Sequence, residues 1–464
     1  MRSVAVAILT SLVLSIAPLP QAAEAATPVP FPDTETTWYR YREAIGYLRA
    51  KGVIGGYEDG SFKPKQTINR AELLKIVFKG KSNTVPSRRR CFSDVNPDAW
   101  YAPYVCTAKQ RGIVNGYPDG TFKADEPVNF AEAVKIVLNA YGHDVQPGTG
   151  KQWYKPYVEE IDRQDILSRS SYLPWQPLTR ERAADLLWRM LRHDDDRFIP
   201  RMSPGCGRTQ PTAPSTVTVN GVTRSFLLTI PRNYVPHDAV PLIFAFHGRT
   251  NDNAQVRQYM KLDREITDAI IVYPAAVSNG KGSFSWADPG DKAQEIRDIK
   301  LFDTIVETLA EDYCINMDRI SVVGHSLGAW IANSIACVRG DVVRASATLG
   351  GDSVITTCNG PAAAMIIHNP KDNLASFAGA QKVLEQRLKT NVCDDSKPSL
   401  PGPSYLNCQG YAGCTGNNDI LFCPHTIDTD FHGDYYPHTW PNDTAQYINE
   451  FLQKLYKEDD SVRS

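Results

Sequence analysis

The chain has 464 residues, 42% of them hydrophobic, and a formal net charge of −2. That length supports two or three domains with real cores, and the near-neutral balance supplies no basic field for nucleic acid. Ten cysteines without a pair of C-x-x-C elements exclude the usual zinc patterns and point to disulfides in an exported chain.

The first element reads as a secretory signal over residues 1–25. Arg2 gives a positive n-region, Val4 to Ile16 an apolar h-region, and Ala23-Glu24-Ala25 fits an A-x-A cleavage site. The apolar run is too short to span a bilayer, and no other stretch qualifies as a membrane span.

The N-terminal third repeats itself. Gly52 to Val77 recurs sixty residues later as Gly112 to Val137, with Gly56, Tyr57, Asp59, Gly60, Phe62, Lys63, Asn69, Ala71, Glu72 and Lys75 identical at that offset. A helix is expected before each G-Y-x-D-G-x-F loop, over Trp38 to Lys51 and Trp100 to Arg111. Another follows each loop, with Asn69 or Asn129 as N-cap and Glu72 or Glu132 completing a capping box. A degenerate third copy matches at Trp153-Tyr154-Lys155-Pro156-Tyr157 and at Leu178-Thr179-Arg180-Glu181-Arg182, without the G-Y-x-D-G loop. One helix–loop–helix cannot bury its apolar face alone, so the copies are expected to stack.

These motifs resemble S-layer homology repeats, modules that bind secondary polymers of bacterial cell walls. The resemblance covers residues 36–192, in copies at 36–80, 88–142 and 150–192. It implies a mainly α domain of three repeats about a pseudo-threefold axis, a secondary cell-wall polymer as partner, and a place at the cell surface, in the wall or S-layer. Its groove residues map to Arg70 and Arg180, whereas copy two carries Phe130 and departs from the pattern. Without the resemblance, Arg70 reads equally well as an exposed first-turn residue. Cys91 and Cys106 flank Trp100 and are expected to bridge; the other eight cysteines allow 105 pairings.

Residues 193–213 read as a linker: a charge run at His193-Asp194-Asp195-Asp196, then Pro200, Pro204, Gly205, Gly207 and Pro211, with no core expected. The second domain is expected over 214–457. Thr216 to Ile230 is a hairpin about Asn220-Gly221. Val240 to Phe246 is a buried strand ending in His247-Gly248-Arg249, and Ala269 to Tyr273 is the next strand. Trp286 follows in a long loop, as a pocket wall or a surface aromatic. Asp298 is expected to cap the amphipathic helix after it.

Ile320 to Ala332 (ISVVGHSLGAWIA) then gives strand, G-x-S-x-G turn and helix, the context of a nucleophile elbow. Close backbone excludes side chains at Gly324 and Gly328, and the turn lifts Ser326 clear of the sheet. The bland alternative is a glycine-rich loop with an idle serine. Val342 to Leu349 and Ala363 to His368 are further strands. Asp372 follows the second of these, where a triad acid belongs; Asp352 and Asp394 are poorer candidates. The stretch Cys393 to Cys423 is a disulfide-held excursion, and Gly433 to Pro441 supplies a loop histidine, His438. His432 is the rival base, disfavoured by its acidic, glycine-flanked setting.

Phe246-His247-Gly248, the Ser326 turn, His368 to Asp372 and His438-Thr439-Trp440-Pro441 together resemble the polyhydroxybutyrate depolymerase and feruloyl esterase group of secreted α/β-hydrolases. The resemblance implies an α/β-hydrolase with Ser326 as nucleophile, Asp372 as acid and His438 as base. Its oxyanion hole would be the N–H groups of Leu327 and of Arg249 or a neighbour, with Trp286 and His325 about the substrate pocket and His247 there in an orienting role at best. The substrate would be a carboxylic ester of polyhydroxyalkanoate or feruloyl-polysaccharide type, and no metal or cofactor is implied. The loop His368-Asn369-Pro370-Lys371-Asp372 departs from the group's H-G-x-x-D. Rival readings are a non-catalytic surface protein, or another acyl hydrolase such as an acetyl-xylan esterase or peptidase.

Overall fold

The computed structural model describes residues 31–463 except 36, 82–89, 168–171, 194–200, 210–211, 279–283, 289–290, 353–356, 394–397, 402–403 and 412. The expected signal stretch and Asp394 lie outside the described residues. Among those described, no helix is long and apolar enough to cross a membrane.

Among the described residues, six α-helices form the N-terminal part, two per copy: α1 (Tyr39–Ala50) and α2 (Arg70–Gly80), α3 (Ala102–Gln110) and α4 (Phe130–Tyr141), α5 (Lys155–Arg163) and α6 (Arg180–Arg192). Capping boxes at Asn69/Glu72 and Asn129/Glu132 start α2 and α4. The copies close on one another in a ring. Isolated bridges join Asn69 to Pro127, Asn129 to Pro177 and Thr67 to Thr179, linking copy one to two, two to three and three to one. The first backbone N–H of each second helix repeats the same contact: Arg70 to the Glu126 carbonyl, Phe130 to Gln176 and Arg180 to Gln66. The Cys91–Cys106 bridge lies in copy two.

The C-terminal part is built on ten strands and the helices that cover them. In chain order these are β1 (Thr216–Val219), β2 (Val222–Thr229), β3 (Val240–Phe246), α7 (Asn253–Met260), α8 (Leu262–Glu265) and β4 (Ile270–Pro274). A two-stranded ribbon of β5 (Val277–Ser278) and β6 (Phe284–Ser285) precedes α9 (Lys292–Asp312), β7 (Ile315–His325), α10 (Leu327–Val338), β8 (Val343–Leu349) and β9 (Ala363–Ile367). Then come α11 (Phe377–Asn391), β10 (Pro398–Pro401), β11 (Gln409–Tyr411), β12 (Ile420–Cys423) and α12 (Thr444–Arg463). The large sheet runs β1-β2-β4-β3-β7-β8-β9-β12-β11-β10. Its middle, from β4 to β12, is parallel, and its ends are antiparallel.

Period-two alternation splits each central strand between two cores. Leu242, Phe244, Ile320 and Val322 face α9 and α10, while Ile243, Ala245, Val323 and Ala347 face α7 and α12. Strand order reverses between β3 and β7, so the ends of these strands lie at a topological switch point, where open α/β sheets place their sites.

Two expectations change. The linker is only partly a linker: Ser203 is buried, its N–H bonds the Ile315 carbonyl, and Cys206 is bridged to Cys314. Asp298 is not a cap. Asp291 caps α9, and Asp298 lies about two turns further on, fully buried, accepting from Arg224, Arg297 and the Ala287 N–H. The carboxylate there meets Arg224 from a strand 74 residues away, which no local pattern reveals.

The two parts also share a core. Phe31, Trp38 and Leu74 of the repeats belong to one apolar cluster with Val217, Ile299, Ile305 and Ile331 of the sheet-bearing part. A buried polar contact crosses the junction from Arg182 to Asp341, 3.1 Å apart.

Candidate active site and repeat grooves

The Ser326 turn is built by backbone crowding. A Cβ at Gly328 would lie 2.2 Å from the Phe246 carbonyl oxygen, and one at Gly324 would lie 2.2 Å from that of Gly328. Both positions therefore need glycine for space, and neither needs it for φ. The strain falls on Ser326 itself, at φ 56° and ψ −126°, where side chains are rarely found. Its N–H is tied to the Leu349 carbonyl at 2.9 Å. Leu327 opens α10, so its N–H belongs to the helix terminus that has no intrahelical acceptor.

The loop after β3 lies against this turn. A Cβ at Gly248 would sit 3.3 Å from the Ser326 Cβ, which brings the Arg249 backbone to the same end of the sheet. The Arg249 side chain points outward and pairs with Asp288 at 2.9 Å.

His247 and Trp286 hold that loop from behind. The Trp286 indole N–H donates to the His247 carbonyl at 2.8 Å, and the Ala276 N–H donates to His247 Nε2 at 3.0 Å. Nε2 is thus the acceptor, and Nδ1–H donates to the Gly248 carbonyl at 2.7 Å. Burial pushes the His247 imidazole down to about 4, which keeps it neutral. At 0% and 1% exposure, His247 and Trp286 offer no surface to a substrate, so their expected place about the pocket is corrected. Arg224–Asp298 stands behind them in turn, through the Ala287 N–H.

Asp372 and His438 meet across 66 residues of chain. His438 Nδ1–H donates to Asp372 Oδ2 at 2.5 Å, while Asp372 Oδ1 accepts from the N–H groups of Leu374 and Ala375 at 2.8 and 3.0 Å. Burial opposes the Asp372 charge, yet the His438 and backbone hydrogen bonds hold its carboxyl below the usual range. The other ring nitrogen, His438 Nε2, is buried and has no hydrogen-bond partner among the described residues. Gly350, at the end of β8, closes on the pair: a Cβ there would lie 2.8 Å from His438 Cε1. His432 sits on an exposed turn with Asp430, apart from this pair.

His325 is also turned inward. Its Nε2–H donates to the His438 carbonyl at 3.0 Å, and Nδ1 accepts from the Tyr259 hydroxyl at 3.2 Å. Burial, then the neighbouring His438, push its imidazole down to about 3. It fixes the backbone of His438 and does not line an open pocket, which corrects the third pocket residue. Tyr259, Gly350 and the Leu374–Ala375 amides escaped the sequence reading because each acts through a long-range contact. Asn369, where the loop departs from H-G-x-x-D, bonds the Ile427 carbonyl and Asp428, tying the Asp372 loop to the segment that leads to His438.

In the repeats, Arg70 is buried rather than exposed. Its guanidinium pairs with Glu132 at 3.2 Å and lies over the Tyr117 and Phe122 rings, 4.9 and 4.8 Å from their centroids. Arg180 repeats this with Glu72 at 3.6 Å and the rings of Tyr57 and Phe62 at 4.7 and 4.8 Å. Arg70, Tyr117, Glu132, Lys135 and Trp153 line a groove of about 240 Å³.

Comparison with known proteins finds relatives of two kinds. The S-layer homology domain family matches residues 30–74 and 92–134. The middle cell wall protein of Brevibacillus brevis is 30% identical over 199 residues, 42% of this chain, and this chain spans 18% of that protein's length. Feruloyl esterase D of Neurospora crassa is 27% identical over 248 residues, covering 49% of this chain and 81% of the relative. The probable feruloyl esterase C of Aspergillus flavus is 30% identical over 229 residues, 46% of this chain and 78% of the relative. Behind its S-layer homology repeats, the chain therefore belongs to the feruloyl esterase family represented by that Aspergillus protein.

Proposed function

We propose that this chain is a serine carboxylic ester hydrolase that works outside the cell while its repeats, over residues 36–192, hold it to the wall. One observation carries the reading: a strained serine at a strand-to-helix turn shares a sheet edge with a buried Asp–His pair whose free nitrogen is His438 Nε2.

Ser326 Oγ attacks the ester carbonyl as its proton passes to His438 Nε2. Asp372 holds the imidazole in the Nδ1–H tautomer and stabilises the imidazolium. The N–H groups of Leu327 and Arg249 receive the developing oxyanion. Collapse breaks the ester C–O bond, and the imidazolium proton goes to the departing alcohol. Water then gives a proton to Nε2, attacks the acyl-enzyme and releases the acid, restoring Ser326. Kinship with feruloyl esterases supports an acyl group of hydroxycinnamoyl type. Exposed Leu374, Phe431, Tyr435 and Tyr436, on the segments that carry Asp372 and His438, supply apolar surface for such a group or for a polyester chain. Arg70 and Arg180 form the cell-wall polymer sites.

The test compares wild type with Ser326→Ala on hydroxycinnamoyl, acetyl and polyhydroxyalkanoate esters. Turnover is expected to drop by about 10⁶-fold with folding intact. Retention of a tenth of wild-type hydrolysis by a clean preparation overturns the assignment.

A further inference from the structure

The threefold ring makes the repeats' grooves comparable position by position. Three residues past the caps Asn69, Asn129 and Thr179 stand Glu72, Glu132 and Arg182; six past them stand Lys75, Lys135 and Asp185. The equivalent walls are Trp100, Trp153 and Trp38. Two grooves are alike. Each has an arginine–glutamate pair over two aromatic rings, with a lysine ammonium over the wall tryptophan: Lys135 at 5.3 Å from the Trp153 ring and Lys75 at 5.0 Å from that of Trp100.

The third groove is inverted. Phe130 replaces the arginine and stacks on Tyr172 at 4.7 Å. Arg182 stands where the others have glutamate. Asp185 stands where they have lysine and is held by Arg189 at 2.9 Å. Its wall, Trp38, is 6% exposed, against 51% for Trp100.

What fills this groove comes from the sheet-bearing part. Asp341, just past α10, accepts from the Tyr41 hydroxyl at 2.5 Å and pairs with Arg182 at 3.1 Å, and Arg182 also donates to the Asn359 carbonyl at 2.9 Å. The inserted piece is pre-shaped. Cys337 and Cys358 are bridged, the Asn359 N–H bonds the Cys337 carbonyl, and Gly340 packs so closely on Gly360 that a Cβ would lie 2.2 Å from its oxygen. A second pair, Arg42–Glu307 at 3.1 Å, lies at the rim.

We propose that the third groove has become a socket for the chain's own hydrolase domain, leaving two grooves for the wall polymer. The count of two rests on the anchoring function proposed above; the socket does not. Asp341 and Arg182 are its paired contacts, and Phe130 is its apolar floor.

The experiment uses full-length chains. Asp341→Arg sets two buried cations against each other, and Arg182→Asp with Asp341→Arg restores the pair in reverse. X-ray scattering is expected to show a larger radius of gyration for Asp341→Arg and a return to the wild-type value in the double variant. Hydrolysis of a small chromogenic ester reports whether the hydrolase part is folded. Should Asp341→Arg lose that activity, the double variant decides: recovery of activity and compactness together supports the socket, and no recovery overturns it. An unchanged scattering curve in Asp341→Arg also overturns it. With purified cell walls, Arg70→Ala combined with Arg180→Ala is expected to lower retention more than tenfold, and Asp341→Arg to stay within twofold of wild type. Equal loss in both restores the third groove to the polymer and sinks the proposal. Absence of wall retention in the wild type removes the anchoring function and the count of two, and leaves the socket to the scattering result.

Discussion

Ser326 and His438 are placed by opposite means. Everything that fixes Ser326 is backbone: two glycines pressed on carbonyls, one N–H tied to β8, and a helix that starts at the next residue. His438 is fixed from three distant segments, by the side chains of Asp372 and His325 and by the bare face of Gly350. Backbone crowding cannot relax without undoing the sheet. A ring held by hydrogen bonds can shift by a fraction of an ångström and leave the fold standing. A side chain added at the glycines that crowd Ser326 should thus read out as lost structure, and one added beside the histidine as lost rate.

The largest expected effect breaks the backbone side. Gly328→Ala drives a methyl into the Phe246 and His247 carbonyls of β3, which have nowhere to go, and soluble folded protein should not be recovered. Circular dichroism of a refolded sample checks this; a native-like spectrum would show the crowding to be dispensable. Gly350→Ala is its counterpart on the histidine side. The methyl meets the His438 ring edge, at a residue with φ of 64°. Folding should survive with some loss of stability, while kcat/KM falls by about 100-fold, the usual cost of misplacing a catalytic group by an ångström. Equal rates in Gly350→Ala and wild type would remove Gly350 from the support of His438.

A smaller effect sharpens the contrast through pH. His325 is neutral in the fold down to about pH 3, whereas an unfolded histidine takes a proton near pH 6.5. Between those values the unfolded chain binds the extra proton, so this contribution is fully present above pH 6.5 and drains away as pH falls towards 3. His325→Gln should flatten the slope of stability against pH by about 1.4 kcal/mol per unit in that window. Urea midpoints at pH 6 and 4.5 measure it, and an unchanged slope would mean that His325 titrates normally.

The same division explains what the sequence discloses. The Ser326 elbow, the apolar central strands and the capping boxes are local patterns, and all are visible in the letters. Asp372 and His438 can be picked out by their positions after a strand and in a loop, but their 2.5 Å contact depends on the whole sheet. The inward turn of His247, Trp286 and His325 was hidden, because a residue beside a site can face it or brace it with the same letters. Arg182 is an intermediate case. Its charge reversal is visible once the three copies are aligned at their caps, but its partner Asp341 lies 159 positions away by their residue numbers, in the other part of the chain.

The core shared by the repeats and the hydrolase part has one more consequence. An enzyme on a loose tether sweeps a volume set by the tether and meets any bond within it. One that is packed onto its anchor has a fixed reach and a fixed bearing. On the function proposed above, which esters are cleaved then depends on where they lie in the wall as well as on what they are, and the anchor acts as a ruler.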